Sequence, residues 1–306
     1  MKLHVFICYD ALRGNHLDET EQLLELFESG NVEAARAFVR NSAQLIQPAG
    51  YGAHPVLRAF VERHSGHCYK PQHLQIADLL LSEDVKAFRD AVVRDQVRDV
   101  QRQLTANGKL VQAEFTAGRG IARAIHHWTS TEVAELLLDA GADLHVKTTV
   151  HDGETPLAMQ LRFGTIAGVE FLLERGADPN QGVTTNIPTD RLEQSIQLLQ
   201  ANGWKINGSD ATSRRSTMLH HDANHGFGSR IQIWLTHGAD PNVKDAAGQT
   251  PLHILAARGT GRDAILALLN AGAEINAKDD AGNTPLDLAR RAERDTAATT
   301  IESFTP

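Results

Sequence analysis

The sequence predicts an all-α solenoid of stacked helix pairs, and two observations carry that prediction. The first is a stride of six glycines, Gly108, Gly141, Gly176, Gly203, Gly238 and Gly272, separated by 33, 35, 27, 35 and 34 residues. Each lies near the end of a Leu-rich segment. A stride of that length implies one small unit stacked on copies of itself. Such a unit can bury its apolar face only against its neighbours. The second observation is compositional: 42% of residues are apolar but only 5% aromatic. Helices packed through Ala, Leu and Val need few rings. A compact chain of 306 residues would suggest two domains, whereas a solenoid lengthens by adding units and needs no second core.

The segment from Asp245 to Asn276 is the clearest unit. Thr250 is placed to cap a helix N-terminus, and Pro251 suits the first helical position, where a missing N–H costs nothing. Small Ala256 lets a second helix approach closely, Leu268 and Leu269 supply that helix with a core stripe, and Gly272 can end it in the left-handed conformation. Together, Thr250-Pro251-Leu252-His253, Ala256-Ala257-Arg258-Gly259 and Leu268-Leu269-Asn270-Ala271-Gly272-Ala273 resemble the ankyrin repeat. The resemblance implies two antiparallel helices per unit joined by short hairpin fingers. It also implies a concave face lined by first helices and fingers, and binding without turnover.

Other units match in part. Thr155-Pro156-Leu157, Thr217-Met218-Leu219-His220 and Thr284-Pro285-Leu286-Asp287 open units, the last grading into a C-terminal cap. The segment from Gly120 to Lys147 keeps Leu136-Leu137-Leu138 and Gly141 but has lost Thr-Pro-Leu-His. Upstream, Ser29-Gly30 with Phe38–Ala43 fits a first degenerate repeat, His54-Pro55 with Ile76–Leu81 a second, and Asp84–Gly108 a third. Arg63–His73 reads as an inserted loop. About nine units result. The expected layout is one solenoid over 1–306: a cap or extension at 1–20, degenerate repeats at 21–113, repeats at 114–180, a shortened irregular repeat with a polar finger at 181–216, and regular repeats with a capping repeat at 217–306. The 27-residue step into Gly203, with Pro188 inside it, predicts a first helix cut short.

Charge narrows the partner. The formal net charge is −8; residues 1–120 hold 15 acidic and 14 basic side chains, the remainder 23 and 16. Nucleic-acid binders carry a basic stripe, so nucleic acid is excluded and a basic or neutral partner is favoured. Cys8 and Cys68 are too few for a disulfide framework. The opening residues lack the long apolar core of a secretory signal, and no run reaches the roughly 20 apolar residues of a membrane span. A cytoplasmic monomer is expected.

Chemistry-bearing clusters are few. His221 and His225 share a helix face four residues apart, and His64-x-x-His67-Cys68 with His73 forms a second loose set; either could serve a metal-binding or enzymatic role. Against this, His220 and His253 occupy the packing position of the repeat, and no phosphate-cradling loop or nucleophile elbow is present. No catalytic residue, cofactor or metal is assigned. The remaining candidate is a surface that binds another protein through the concave face and finger tips. Read unit by unit, its positions are His127 and Trp128; Met159, Arg162 and Phe163; His221, Asn224 and His225; and Arg258. Trp, Arg, Phe and Met are enriched at interface cores. An immunity- or antitoxin-like inhibitor that occludes an enzyme is the alternative within this class. Trp204 and Trp234 are expected in the core.

Overall fold

The computed structural model describes residues 16–42, 56, 59–60, 71–117, 120–149, 153–181, 186–208, 216–259 and 261–304. The chain divides into two compact units, Met1–Pro156 and Leu157–Pro306. Among the described residues, α-helices dominate and the single sheet is a two-stranded hairpin.

In the first unit, helices α1 (His16–Ser29), α2 (Val32–Asn41) and α3 (Pro71–Leu79) surround one apolar cluster. Leu23, Leu24 and Phe27 of α1 meet Ala35, Val39, Val56, Phe60, Ile76, Ala77, Leu80 and Ile121 there. Phe27 and Phe60 lie 5.1 Å apart between ring centres, a separation at which aromatic pairs attract beyond simple burial. Asn31 starts α2 by accepting a hydrogen bond from the Ala34 N–H (3.1 Å). His73, expected in a loop, sits instead in α3, with its ring edge-on to Phe60 at 5.1 Å. Pro71 at the first position of the helix explains the difference. His64, His67 and Cys68 lie outside the described residues.

Helices α4 (Glu83–Val93) and α5 (Val97–Ala106) pack as the next pair. The following unit departs from the expected helix pair. Its first half is a hairpin of β1 (Glu114–Ala117) and β2 (Gly120–Arg123), with Glu114 opposite Arg123 and Phe115 opposite Ala122, then a 3-10 turn at Ala124–His126. Only its second helix, α6 (Thr131–Asp139), is α-helical. Glu114 and Arg123 form an ion pair (3.3 Å) across the hairpin.

The second unit begins within α7 (Pro156–Phe163) and continues through α8 (Ile166–Glu174), α9 (Thr189–Ala201), α10 (Met218–His225), α11 (Gly228–Thr236), α12 (Pro251–Arg258), α13 (Arg262–Asn270), α14 (Pro285–Arg291) and α15 (Asp295–Glu302). First helices α10, α12 and α14 pack side by side, and second helices α11, α13 and α15 form a layer behind them. Between α8 and α10, the described residues hold one 13-residue helix, α9, where the neighbouring units have two. Residues 209–215 of the expected polar finger lie outside the described residues; Asn207 and Gly208 are within them.

The glycine stride has a physical basis that its spacing alone does not reveal. Gly141, Gly176, Gly203, Gly238 and Gly272 all have φ between 85° and 92°, so each ends a second helix in a conformation costly for other residues. Gly108 does not: Asn107 ends α5 and Gly108 opens a 3-10 turn. The carbonyls of Gly141, Gly203, Gly238 and Gly272 are then claimed by side chains of the preceding repeat. Asn180, four residues beyond Gly176, donates to the Gly203 carbonyl (3.2 Å) and accepts from the Lys205 N–H (3.0 Å). Asn207 treats Gly238 and Asp240 the same way (3.3 and 2.8 Å), and Asn242 treats Gly272 and Glu274 (3.0 and 2.8 Å). In the first unit, Gln112 reaches the Gly141 carbonyl (3.1 Å). The short step into Gly203 loses helix on one side, yet this amide ladder runs through it unbroken.

Candidate protein-binding surface

The first helices are positioned by a second ladder, made of histidines. The Thr250 N–H donates to His253 Nδ1 (3.1 Å), while His253 Nε2 lies 3.1 Å from the Asn283 carbonyl of the next unit. A carbonyl can only accept, so Nε2 carries the proton and the ring is neutral. Burial pushes the His253 pKa down, in keeping with that state. His220 repeats the geometry with Thr217 (3.2 Å) and Gln249 (3.1 Å). His126 does so with Arg123 (3.2 Å) and Val146 (3.1 Å), although its helix has been replaced by a 3-10 turn. Arg123-Ala124-Ile125-His126 therefore fills the place of Thr-Pro-Leu-His; the surviving signal was one histidine at the right offset. In α14 the histidine gives way to Asp287, which accepts from the Thr284 N–H (2.9 Å) and hydroxyl (2.7 Å). An acceptor alone meets both Thr284 groups.

Of the nine residues expected at the partner face, seven lie in the second unit and share its first helices. Phe163, His225 and Arg258 each stand eight residues beyond the residue preceding the helix, Thr155, Thr217 and Thr250. Phe163 is 66% exposed, with the Arg162 guanidinium 4.6 Å from its ring centre. His221 and His225 lie 4.4 Å apart, and Phe227, 45% exposed, stacks on His225 at 5.3 Å with planes 13° apart. Arg258 donates to the Asn224 side chain (2.5 Å), tying α12 to α10. Met159, Arg162, His221 and Asn224 are half-buried.

Phe227 was missed in the sequence because it follows the left-handed Gly226 that ends α10, outside any helix pattern. Arg191 was missed too. From α9 it donates to the carbonyls of Gly164 and Arg162 (the latter 2.7 Å), holding the end of α7 that carries Phe163. These partners are 27 and 29 residues away in sequence, and no local pattern signals them.

Of the first-unit pair, Trp128 does not belong to a surface. Trp128 is 5% exposed, and His127 is half-buried beside Phe115 at 5.9 Å. With a hairpin in place of a first helix, the residues after the 3-10 turn fold inward, where a helix would have carried them to an edge. His127 Nε2 is buried without a hydrogen-bond partner among the described residues. Burial, with His126 adjacent, pulls the His127 pKa down to about 4. The sign of the consequence is fixed: an unfolded His titrates near 6.5, so between roughly pH 6.5 and 4 the unfolded chain binds more protons, and stability falls as pH falls. The expected loss from this residue is at most about 3 kcal/mol across that window, and none above it. Urea unfolding at pH 7 and 4.5 checks it: His127→Gln should shrink the pH-induced shift in midpoint, and an unchanged shift would refute the assignment.

His221 and His225 each hold a partner through Nδ1, bonds that do not take up Nε2. His225 Nδ1 lies 2.9 Å from the His221 carbonyl, and His221 Nδ1 faces Asp222 at 3.3 Å. Among the described residues, no group of three or more His, Cys, Asp or Glu side chains is arranged to hold an ion. Nor is any helix among them long and apolar enough to cross a membrane. Asp222 is 1% exposed, and its Oδ2 accepts from Arg230 Nε (2.8 Å) and Trp234 Nε1 (2.6 Å). Trp234 is buried and Trp204 half-buried, their rings 6.0 Å apart.

Comparison with known proteins fits this geometry. A family model described as ankyrin repeats matches residues 219–301, in three copies. These residues are ankyrin repeats. Over 90 residues the chain is 38% identical to a Rickettsia bellii protein named for its ankyrin repeats, covering 29% of this chain and 35% of that protein. A fowlpox virus protein likewise named is 29% identical over 138 residues, covering 45% of this chain and 32% of its own length. The mouse B-cell lymphoma 3 protein homolog is 26% identical over 206 residues, covering 61% of this chain and 45% of that protein. The chain thus aligns with less than half the length of each. Ankyrin repeats generally mediate protein–protein interaction, and are typically not enzymes.

Proposed function

We propose that the second unit binds a partner protein, without turnover, on the face formed by the ends of α7, α10 and α12. One observation carries the reading. In a chain with only 5% aromatic residues, exposed Phe163 and Phe227 both lie at the ends of first helices, and one is layered on Arg162 and the other on His225. Exposing an apolar ring loses the roughly 1.5–3 kcal/mol that burying it would contribute. An aromatic with a charged group against it supplies both contact area and polarity at an interface core. Arg191 on the Gly164 and Arg162 carbonyls holds the end of α7, and the Arg258–Asn224 bond ties α12 to α10, so docking on these helix ends loses little entropy.

The test is site-specific crosslinking in the producing cells. A photo-reactive phenylalanine analogue at position 163 should yield a discrete crosslinked partner, while the same group at exposed Glu170 of α8 should not. Replacing Phe227 with Ser should weaken the crosslink from position 163. Equal patterns from both positions would refute this face as the binding site.

A further inference from the structure

The chemistry of that face is unlike the rest of the unit. Counting from the residue that precedes each first helix, the fourth, seventh and eighth positions share one side of the helix. They are Met159, Arg162 and Phe163 on α7; His221, Asn224 and His225 on α10; Ile254, Ala257 and Arg258 on α12; and Leu288, Arg291 and Ala292 at α14. None of these twelve is Asp or Glu, in a unit that holds 17 acidic and 14 basic side chains. The two carboxylates that these helices do contain are engaged elsewhere. Asp222 is buried against Arg230 and Trp234, and Asp287 is bonded to Thr284. The adjoining fingers behave likewise. Asp245 accepts from the Ala247 and Gln249 N–H groups (both 2.9 Å), and Asp279 accepts from those of Ala281 and Asn283 (3.0 and 2.8 Å); Asp280 is exposed at the finger, and Asp240 and Glu274 are exposed where these connections leave the second helices.

Cations near helix C-termini complement the helix dipole, which accounts for Arg162, Arg258 and Arg291 but not for the absence of carboxylates one turn earlier. We propose, resting on the binding face assigned above, that this face takes an acidic peptide segment of a partner protein with apolar side chains interspersed. Carboxylates of such a segment would meet Arg258, Arg291 and Arg162, the guanidinium fork matching a carboxylate in two bonds. Its apolar side chains would cover Phe163, Phe227, Ile254 and Leu288. The acidic balance of the chain as a whole favours a partner of basic or neutral character, but the local field at the face decides recognition, since charges beyond about 8–10 Å are screened at physiological salt. The same acidic balance opposes nucleic acid, whose phosphates would meet repulsion outside these few arginines.

A random-peptide phage library panned on the full chain tests this, with counter-selection on the Phe163→Ser/Phe227→Ser variant. Both changed residues are exposed, and circular dichroism confirms that the variant folds. Expected are peptides rich in Asp and Glu with interspersed Leu, Phe or Ile, whose binding falls at least tenfold on Arg258→Glu/Arg291→Glu and weakens with added salt. Enriched peptides that are neutral or basic would overturn the acidic preference while leaving the face as a binding site. Failure of any peptide to discriminate wild type from the Phe163→Ser/Phe227→Ser variant would overturn both. A single-stranded DNA oligonucleotide that binds wild type, and not the arginine variant, in the absence of peptide enrichment would replace this partner class with nucleic acid.

Discussion

Asp222→Ala is expected to destabilise the second unit by about 3–5 kcal/mol, the range for removing one partner of a buried ion pair. Asp222 sits at the junction of α10 and α11 and answers three groups at once: Arg230 Nε, Trp234 Nε1 and the ring of His221. Arg230 is itself buried and spends another N–H on the Ile187 carbonyl, just before α9. Without the carboxylate, the buried guanidinium loses this opposite charge and the indole N–H loses its acceptor. Asp222→Asn should cost less, because the amide oxygen still accepts one bond. The double change Asp222→Leu/Arg230→Met should recover much of the loss, since an apolar pair can replace a buried ion pair without penalty. Urea unfolding followed by Trp fluorescence measures all three. If Asp222→Ala changed the midpoint no more than a surface substitution, the network would be a bystander.

That network also shows where sequence reasoning stops. Repeated features were legible, because a residue type recurring at a fixed offset reports a fixed job: Thr at the cap, His three residues on, Gly at the end of the second helix. The helix pairs of residues 217–302 follow from them directly. Features built once were not. Asp222, Arg230 and Trp234 are 8 and 12 residues apart, at spacings no repeat shares. The helix spacing of His221 and His225 says nothing of the partners that Asp222, between them, finds on α11. The hairpin at 114–123 was illegible for another reason: each strand has four residues, too few to display an alternation. The candidate face was half legible. Its helix-borne members were named from their offsets, but Phe227 beyond a helix end and Arg191 beneath Phe163 depend on three-dimensional packing.

Trp128→Ala should cost about 3–5 kcal/mol, as truncating a large buried ring does, whereas Phe163→Ala should leave stability within about 0.5 kcal/mol. The two residues look alike in sequence, each an aromatic near the end of a first-helix segment. They differ in what precedes them. Phe163 closes a true α-helix that starts with Pro156, and that helix carries its ring to the surface. Trp128 follows a hairpin and a 3-10 turn, whose tighter path turns the ring into the core. Removing both rings together, as a test of a shared binding face, would therefore confuse unfolding with lost recognition. Separately they give opposite readouts. Trp128→Ala should shift the thermal transition seen by circular dichroism, and Phe163→Ala should lower only the crosslinking or peptide-binding signal. A Trp128→Ala protein with wild-type stability would return that ring to the surface and reopen a first-unit contribution to binding.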